Sequence, residues 1–236
     1  MADAGDGIDA KAGAWTFHSA EVAASFERHV AASVPEYESV QARAASLAAF
    51  YARPGSSVVD LGCATGRTLR GFHGAIAPRP LRLLGVDESQ AMVDEARRLS
   101  PPEVEFIVAD ASTYRLPSDT SMVFAIYALQ FMPIAKRRAL IARLGEELAP
   151  GAGLLVVEKV VPESSRFVTA FAGLHVDLKR AAGHTADEVL AKSASLRGIM
   201  TPVCASTTEG WLRAAGFTVE RFWQDLCFAG WICERA

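Results

Sequence analysis

The chain has 236 residues, half of them apolar, and a formal net charge of −3. This length and composition predict a single domain with one core, and the slight acidity argues against direct nucleic-acid binding through a broad basic surface. No apolar run reaches the roughly 18 residues of a membrane span, and residues 1–14 lack the cationic start and apolar segment of a signal peptide. We expect a cytoplasmic protein with no membrane association and a disordered lead-in over residues 1–14.

Two amphipathic segments precede the first predicted strand. Residues 15–31 carry apolar side chains at helical spacing until Pro35 interrupts the pattern, and residues 38–51 continue with a second helix. We interpret residues 15–52 as helices that cap a ligand site.

A strand, a glycine turn and a helix start follow one another at residues 57–73. The strand carries Asp60 close to its end, and Gly62 and Gly66 flank the turn. Glycine adopts backbone conformations that a Cβ forbids, and it lets a ligand approach the chain closely. This order of elements favours a site for a nucleotide-like ligand.

Two further strands end in acidic residues on the same predicted edge. Asp87, followed by Glu88, closes a strand about 20 residues beyond Gly66, which is where ribose hydroxyls find a carboxylate acceptor in such folds. Asp110 follows the strand at residues 104–108. The three strand ends therefore predict one extended ligand site.

The alternation of strands and helices along the chain predicts an α/β fold. The expected fold is a doubly wound, Rossmann-like, mostly parallel seven-stranded sheet with N-terminal cap helices and a helical insertion at residues 163–200 before the last strand pair. Residues 15–236 form one domain in this interpretation. The predicted strands are 57–61, 81–86, 104–108, 121–127, 154–160, 217–222 and 227–233, and the predicted helices after the cap are 68–75, 90–99, 135–148, 165–181, 186–197 and 205–215.

The order Asp-x-Gly-x-x-x-Gly, strand-end acid and Ala-Asp-Ala resembles the class I S-adenosylmethionine-dependent methyltransferases. A dinucleotide dehydrogenase fits less well, because Ala64 stands where its middle glycine would be. The resemblance implies that S-adenosyl-L-methionine is the cofactor, with residues 62–66 at the methionine moiety, Asp87 at the ribose, and Asp110 with Ala111 at the adenine. The implied cofactor site comprises Asp60, Gly62, Cys63, Ala64, Gly66, Asp87, Glu88, Asp110 and Ala111.

A narrower resemblance, to the carboxy-S-adenosylmethionine synthases, covers residues 15–235. It rests on similar words such as Ser33-Val34-Pro35-Glu36-Tyr37, Leu129-Gln130-Phe131, Glu158-Lys159 and His175-Val176-Asp177-Leu178-Lys179-Arg180. Those enzymes take a carboxyl group from prephenate to make a cofactor for tRNA wobble-uridine modification. The resemblance implies a cofactor contact for Tyr37 and a homodimer, a state that an apolar stripe within residues 162–197 also suits.

The chain departs from that family at two positions of the cofactor site. Ile126 aligns with an asparagine, and Ser193 aligns with the arginine that binds the added carboxylate. A carboxylate requires a cation or a fork of donors, which leaves Lys192 and Arg197 as neighbouring alternatives. We therefore predict methyl transfer to a small-molecule acceptor, with carboxy-S-adenosylmethionine synthesis and a non-catalytic cofactor-binding subunit as the alternatives.

Few residues are candidates for catalysis. Tyr127 follows the fourth strand and lines either an acceptor pocket or the core, whereas Glu158 and Lys159 fit a buried ion pair. His175 lies four residues before Lys179 on one helix face, and a histidine that titrates near neutrality suits a general base. We predict His175 and Tyr127 as the catalytic candidates.

Two other groups of residues predict no chemistry of their own. The basic cluster at residues 136–138 is interpreted as a solvated helix face. The four cysteines show no metal-ligand spacing, so we expect buried free thiols and no metal.

Overall fold

The fold is described by a computed structural model that covers residues 11–76 and 79–236. Positions 1–10 of the predicted lead-in lie outside the described residues. The strands are β1 (Ser57–Leu61), β2 (Arg82–Asp87), β3 (Val104–Val108), β4 (Thr120–Ile126), β5 (Gly153–Val161), β6 (Val203–Cys204), β7 (Phe217–Asp225) and β8 (Phe228–Arg235). The helices are α1 (Ala20–Ser33), α2 (Tyr37–Ala48), α3 (Arg67–Ile76), α4 (Gln90–Leu99), α5 (Ile134–Glu147), α6 (Ser165–Ala181), α7 (Ala186–Ser195) and α8 (Ala205–Ala214), with a 3₁₀ turn at Leu129–Phe131.

Seven of the strands follow the order β3-β2-β1-β4-β5-β8-β7, so the predicted doubly wound sheet is confirmed. The first five strands pair in parallel, and β8 pairs antiparallel with both β5 and β7. The two-residue β6, which the sequence did not predict, pairs with the end of β5. None of the helices in the described residues has the length and apolar composition needed to cross a membrane.

The sheet is covered on both faces, so every residue of β1 and β4 is buried and most of them are apolar. One face packs against α2, α3 and α4, with Ala44, Leu69 and Val93 in the contact. The opposite face packs against α5 and α8 through Leu140 and Leu212. These layers fix the carboxyl ends of the parallel strands at one edge, where the predicted ligand site lies.

The basic cluster at residues 136–138 is not a solvated helix face throughout, as the sequence analysis predicted. Arg137 is completely buried, and its Nη1 lies 3.5 Å from Oε2 of the equally buried Glu158. Glu158 also accepts a hydrogen bond from the Thr208 hydroxyl. The prediction was wrong because the sequence around Arg137 gives no sign that the carboxylate of Glu158 on β5 lies opposite it in the fold.

Several boundaries also differ from the prediction. Helix α1 begins only at Ala20, because the hydroxyl of Ser19 caps it by accepting from the amide of Val22 at 3.3 Å. Tyr127 falls outside β4 and adopts a φ of 57°, in the left-handed region that non-glycine residues rarely occupy. Strand β5 continues to Val161, so Glu158 lies within the strand and not at its end.

Candidate active site

A cavity of about 650 Å³ opens at the carboxyl edge of the parallel strands. Its floor is the turn after β1, its sides are the ends of β2, β4 and β5, and its cover comes from α1, α6 and α7. The volume falls within the range of small-molecule sites. Most of the residues predicted for the site line it: Tyr37, Gly62, Cys63, Ala64, Asp87, Glu88, Asp110, Ala111, Ile126, Tyr127 and His175.

The turn after β1 owes its shape to two glycines and one strained alanine. Gly62 and Gly66 have φ values of 77° and 78°, and Ala64 has a φ of 45°. A Cβ on Gly66 would lie 2.7 Å from the Phe106 ring, so this glycine serves packing as well as backbone geometry. Gly66 does not line the cavity, whereas Gly62 and Ala64 do.

Asp87 is held rigidly at the end of β2. Its Oδ2 accepts from the amide of Ala64, and its Oδ1 accepts from the amide of Ser89, both at 2.9 Å. Burial raises the pKa of this carboxyl. Each oxygen keeps a further lone pair, so Asp87 can accept two hydroxyl donors from a ligand.

Asp60 lies behind the turn and does not line the cavity. It is buried, and its Oδ2 has no hydrogen-bond partner within the described residues. Burial, and then the charge of Asp87, raise the pKa of Asp60 to about 8. Asp60 is therefore mostly protonated at neutral pH, which lets one buried carboxyl lie beside another without mutual repulsion.

Asp110 follows β3 and lies at the outer end of the cavity. Its Oδ1 accepts from the amide of Ser112 at 2.8 Å, and its Oδ2 pairs with Nζ of Lys136 at 3.2 Å. Hydrogen bonds from Ser112 and Lys136 lower the pKa of this carboxyl. Asp110 is therefore an ionised acceptor beside the buried Ala111.

Three neighbouring aromatic rings form a strip along the cavity. The ring centroids of Tyr37 and Tyr127 are 5.9 Å apart, and those of Tyr127 and Phe228 are 6.3 Å apart. The hydroxyl of Tyr127 is buried and has no hydrogen-bond partner in the described residues. Burial raises the pKa of both tyrosines, so each remains a neutral phenol.

His175 lines the cavity, but its protonation differs from the prediction. Burial, followed by the charges of Lys159 and Lys179, lowers its pKa to about 4, so it does not titrate near neutrality. Its Nε2 lies 2.9 Å from the carbonyl oxygen of Ser33. A carbonyl only accepts, so Nε2 carries the hydrogen and Nδ1 holds the lone pair.

Two lysines also belong to this site. Lys159 and Lys179 both line the cavity near His175, whereas the sequence alone favours an ion pair between Lys159 and Glu158. Side chains alternate along β5, so the adjacent Glu158 and Lys159 point to opposite faces of the sheet. This alternation is the sequence signal that separates Lys159 from Glu158. Ser193, Lys192 and Arg197 also line the cavity.

The thiol of Cys63 is buried, and burial raises its pKa well above the usual value, so it is not a thiolate. No group of three or more His, Cys, Asp or Glu side chains suited to a metal ion occurs in residues 11–76 and 79–236.

The sequence is similar to those of known methyltransferase-like proteins. A family model described as "Methyltransferase domain" matches residues 58–151. A carboxy-S-adenosyl-L-methionine synthase of Methylococcus capsulatus is 33% identical over 215 residues, covering 89% of each chain. The enzyme of the same name from Salmonella paratyphi C is 31% identical over 224 residues, covering 93% of this chain and 90% of the other.

Solved structures share the fold at lower identity. An O-methyltransferase family protein from Burkholderia thailandensis has a TM-score of 0.64 and 18% identity, covering 93% of this chain and 61% of the other. The plantazolicin methyltransferase BpumL, solved in complex with a monoazolic desmethylPZN analogue and SAH, has a TM-score of 0.62 and 12% identity, covering 93% of this chain and 95% of the other.

Proposed function

The chain belongs to the carboxy-S-adenosyl-L-methionine synthase family of class I S-adenosylmethionine-dependent methyltransferases, and we propose that it methylates a small molecule bound beside the cofactor. Its cofactor is S-adenosyl-L-methionine, as in the enzyme class to which it belongs. The observation that carries the proposal is one continuous cavity, which joins the turn after β1 to the walls formed by α6 and α7.

The residues at the floor of the cavity fit the cofactor. Asp87 retains two lone pairs for ribose hydroxyls, and Asp110 with Ala111 lines the outer end where the adenine is expected. Residues 62–64 lie where the methionine moiety is expected, and Tyr37 lines the same cavity. When bound, the cofactor supplies a methyl group that its sulfonium activates for transfer.

The chain's own task is then to position an acceptor and to exclude water. We assign these roles to Tyr127 and Phe228, whose rings form an apolar wall, and to His175. The neutral imidazole of His175 offers a lone pair on Nδ1, which can accept a hydrogen bond from an acceptor hydroxyl or amine. Because its pKa is about 4, His175 orients the acceptor more effectively than it removes a proton.

Carboxy-S-adenosylmethionine synthesis is the second candidate function. It is favoured by relatives that carry this name and match nearly the whole chain. Ser193 lines the cavity without a positive charge, but Lys192 and Arg197 line the same cavity and can provide one. The two candidates therefore differ in whether these cations bind the carboxylate of a modified cofactor.

Mass spectrometry of the ligand released from freshly purified protein tests both candidates. Methyl transfer predicts S-adenosylmethionine or S-adenosylhomocysteine, and no carboxylated cofactor after incubation with prephenate. Ser193→Arg would restore binding of the carboxylated cofactor if the missing charge is decisive, whereas Ser193→Ala serves as the neutral control. Release of the carboxylated cofactor from the natural protein would instead establish the second function.

We further propose that the protein is a homodimer formed through α6 and α7. Phe167, Leu174 and Leu190 are 54%, 51% and 67% exposed, which makes an unusually apolar surface. Phe171 of the predicted stripe lines the cavity instead. Light scattering at micromolar concentration would give a dimer for the natural protein and a monomer for Leu174→Asp, and a monomeric natural protein would contradict the proposal.

A further inference from the structure

Two lysines from different elements of the fold, 20 residues apart in the chain, line the same cavity. Lys159 comes from the end of β5 and Lys179 from the last turn of α6, and both line the cavity. Their charges act on one another and on His175, which lies one helical turn before Lys179. The convergence does not follow from sequence proximity, so the fold itself concentrates positive charge at this point.

Neither ammonium group has a carboxylate partner among the residues that the structure describes, whereas nearby Lys136 pairs with Asp110. Burial, and then the charge of Lys159, lower the pKa of Lys179 to about 8. Burying positive charges together without a counter-charge destabilises a fold. Such arrangements occur preferentially at sites where a ligand completes the charge balance.

The surroundings define the shape of that ligand. Nζ of Lys159 lies 5.7 Å from the ring centroid of Phe228, and the Phe228 ring adjoins Tyr127, which in turn adjoins Tyr37. The charge of Lys159 therefore borders a strip of aromatic rings that continues along the same cavity to Tyr37. A flat, apolar group would pack along that strip while an attached anion reached the lysines.

We propose that Lys159 and Lys179 bind the anionic group of the methyl acceptor, and that the acceptor is a small planar acid. The proposal rests on the proposed function, because it assigns the acceptor end of the same cavity. The chemistry required is an anion on a planar apolar body, which a ring carboxylate or a ring phosphate supplies. The two lysines make charge-assisted contacts with it, and the aromatic strip holds the ring.

Isothermal titration of protein saturated with S-adenosylhomocysteine tests the assignment. The probes are 4-hydroxybenzoate, its neutral isostere 4-hydroxybenzamide, and phenyl phosphate. We expect the natural protein to bind the carboxylate or the phosphate, the tighter of the two identifying the source of the anion, and to bind the amide at least about tenfold more weakly.

Matched variants distinguish anion binding by Lys159 and Lys179 from a general effect of positive charge on the protein. Lys159→Met and Lys179→Met should each weaken the preferred anion by about 10- to 100-fold, with no change in S-adenosylhomocysteine affinity. Arg180→Met is the control, because Arg180 follows Lys179 on α6 but is exposed and does not line the cavity. Circular dichroism verifies that every variant is folded.

Three results would overturn the assignment. The first is equal binding of the acid and the amide, and the second is the absence of binding by any acid at millimolar concentration. The third is equal anion affinity in Lys159→Met, Lys179→Met and the natural protein. If S-adenosylhomocysteine itself fails to bind, the proposed function fails first, so the two failures are distinguishable.

Discussion

Adjacent residues of β5 enter two charge clusters of different composition. Glu158 lies on the face toward α5 and α8, where Arg137 supplies the opposite charge and Thr208 donates a hydrogen bond, and no part of its side chain or that of Arg137 is exposed. Lys159 lies on the other face, where it and its neighbour Lys179 are half-buried and carry the same charge. The first cluster is complete in charge within the protein, and the second becomes complete only when an anion arrives.

The comparison separates structural charges from functional ones by their partners and not by their burial. A complete buried pair contributes to the unique arrangement of the core, yet it offers nothing for a ligand to bind. An incomplete pair costs stability in the free protein and recovers it on binding, which is a mark of functional sites. Removing charges from each cluster should therefore change stability in opposite directions.

The largest expected change in stability comes from removing one partner of the Arg137–Glu158 pair. Arg137→Met leaves Glu158 buried and unpaired, which should lower the free energy of unfolding by about 3–5 kcal/mol. The double variant Arg137→Met with Glu158→Leu should regain most of that loss, because two apolar side chains replace the pair. Urea unfolding followed by tryptophan fluorescence measures both, and a loss below roughly 1 kcal/mol, typical of surface pairs, would contradict the structural role.

An intermediate effect is expected at Asp87, a partly buried carboxylate that both the backbone and the cofactor are expected to use. Asp87→Ala removes a charge-assisted hydrogen bond worth roughly 1.5–3 kcal/mol, so S-adenosylhomocysteine should bind about one to two orders of magnitude more weakly. Asp94→Ala is the control, because Asp94 is exposed on α4 and does not line the cavity. Unchanged affinity of Asp87→Ala in calorimetry would remove this residue from the cofactor site.

The two clusters also explain what the sequence could and could not predict. The succession of strands and helices along the chain and the positions of Asp87 and Asp110 follow from local signals, because each acid ends a strand whose apolar pattern is visible in the sequence. The burial of Arg137 depends on Glu158 and Thr208, which lie 21 and 71 residues away in the chain. The spacing of His175 and Lys179 predicts a shared helix face, but the approach of Lys179 to Lys159 depends on how the fold places α6 and the end of β5 around one cavity.

The smallest expected effect is the change in the free energy of unfolding caused by Lys179→Met. This change is also the sharpest test of the difference between the two charge clusters. Removing a charge that the free protein cannot compensate should raise the free energy of unfolding at neutral pH by on the order of 1–2 kcal/mol, since partial exposure screens the charge. The pKa of Lys179 is about 8 in the folded protein and 10.5 in its ordinary state, so the unfolded chain binds more protons between these values. The stability of the natural protein should therefore rise relative to the variant as the pH rises through 8.

The groups that face Lys179 are known, and Arg180→Met is a matched control for its pH dependence. Lys159 on β5, His175 on α6 and the Cys227 thiol face Lys179; His175, with a pKa of about 4, stays neutral throughout, and burial raises the pKa of Cys227. Measurements from pH 7 to 9 therefore report chiefly on Lys179, and Arg180→Met should show a constant difference from the natural protein across that range. A Lys179→Met variant that is less stable than the natural protein at pH 7 would mean that Lys179 already has a counter-charge, and the contrast between the two clusters would not hold.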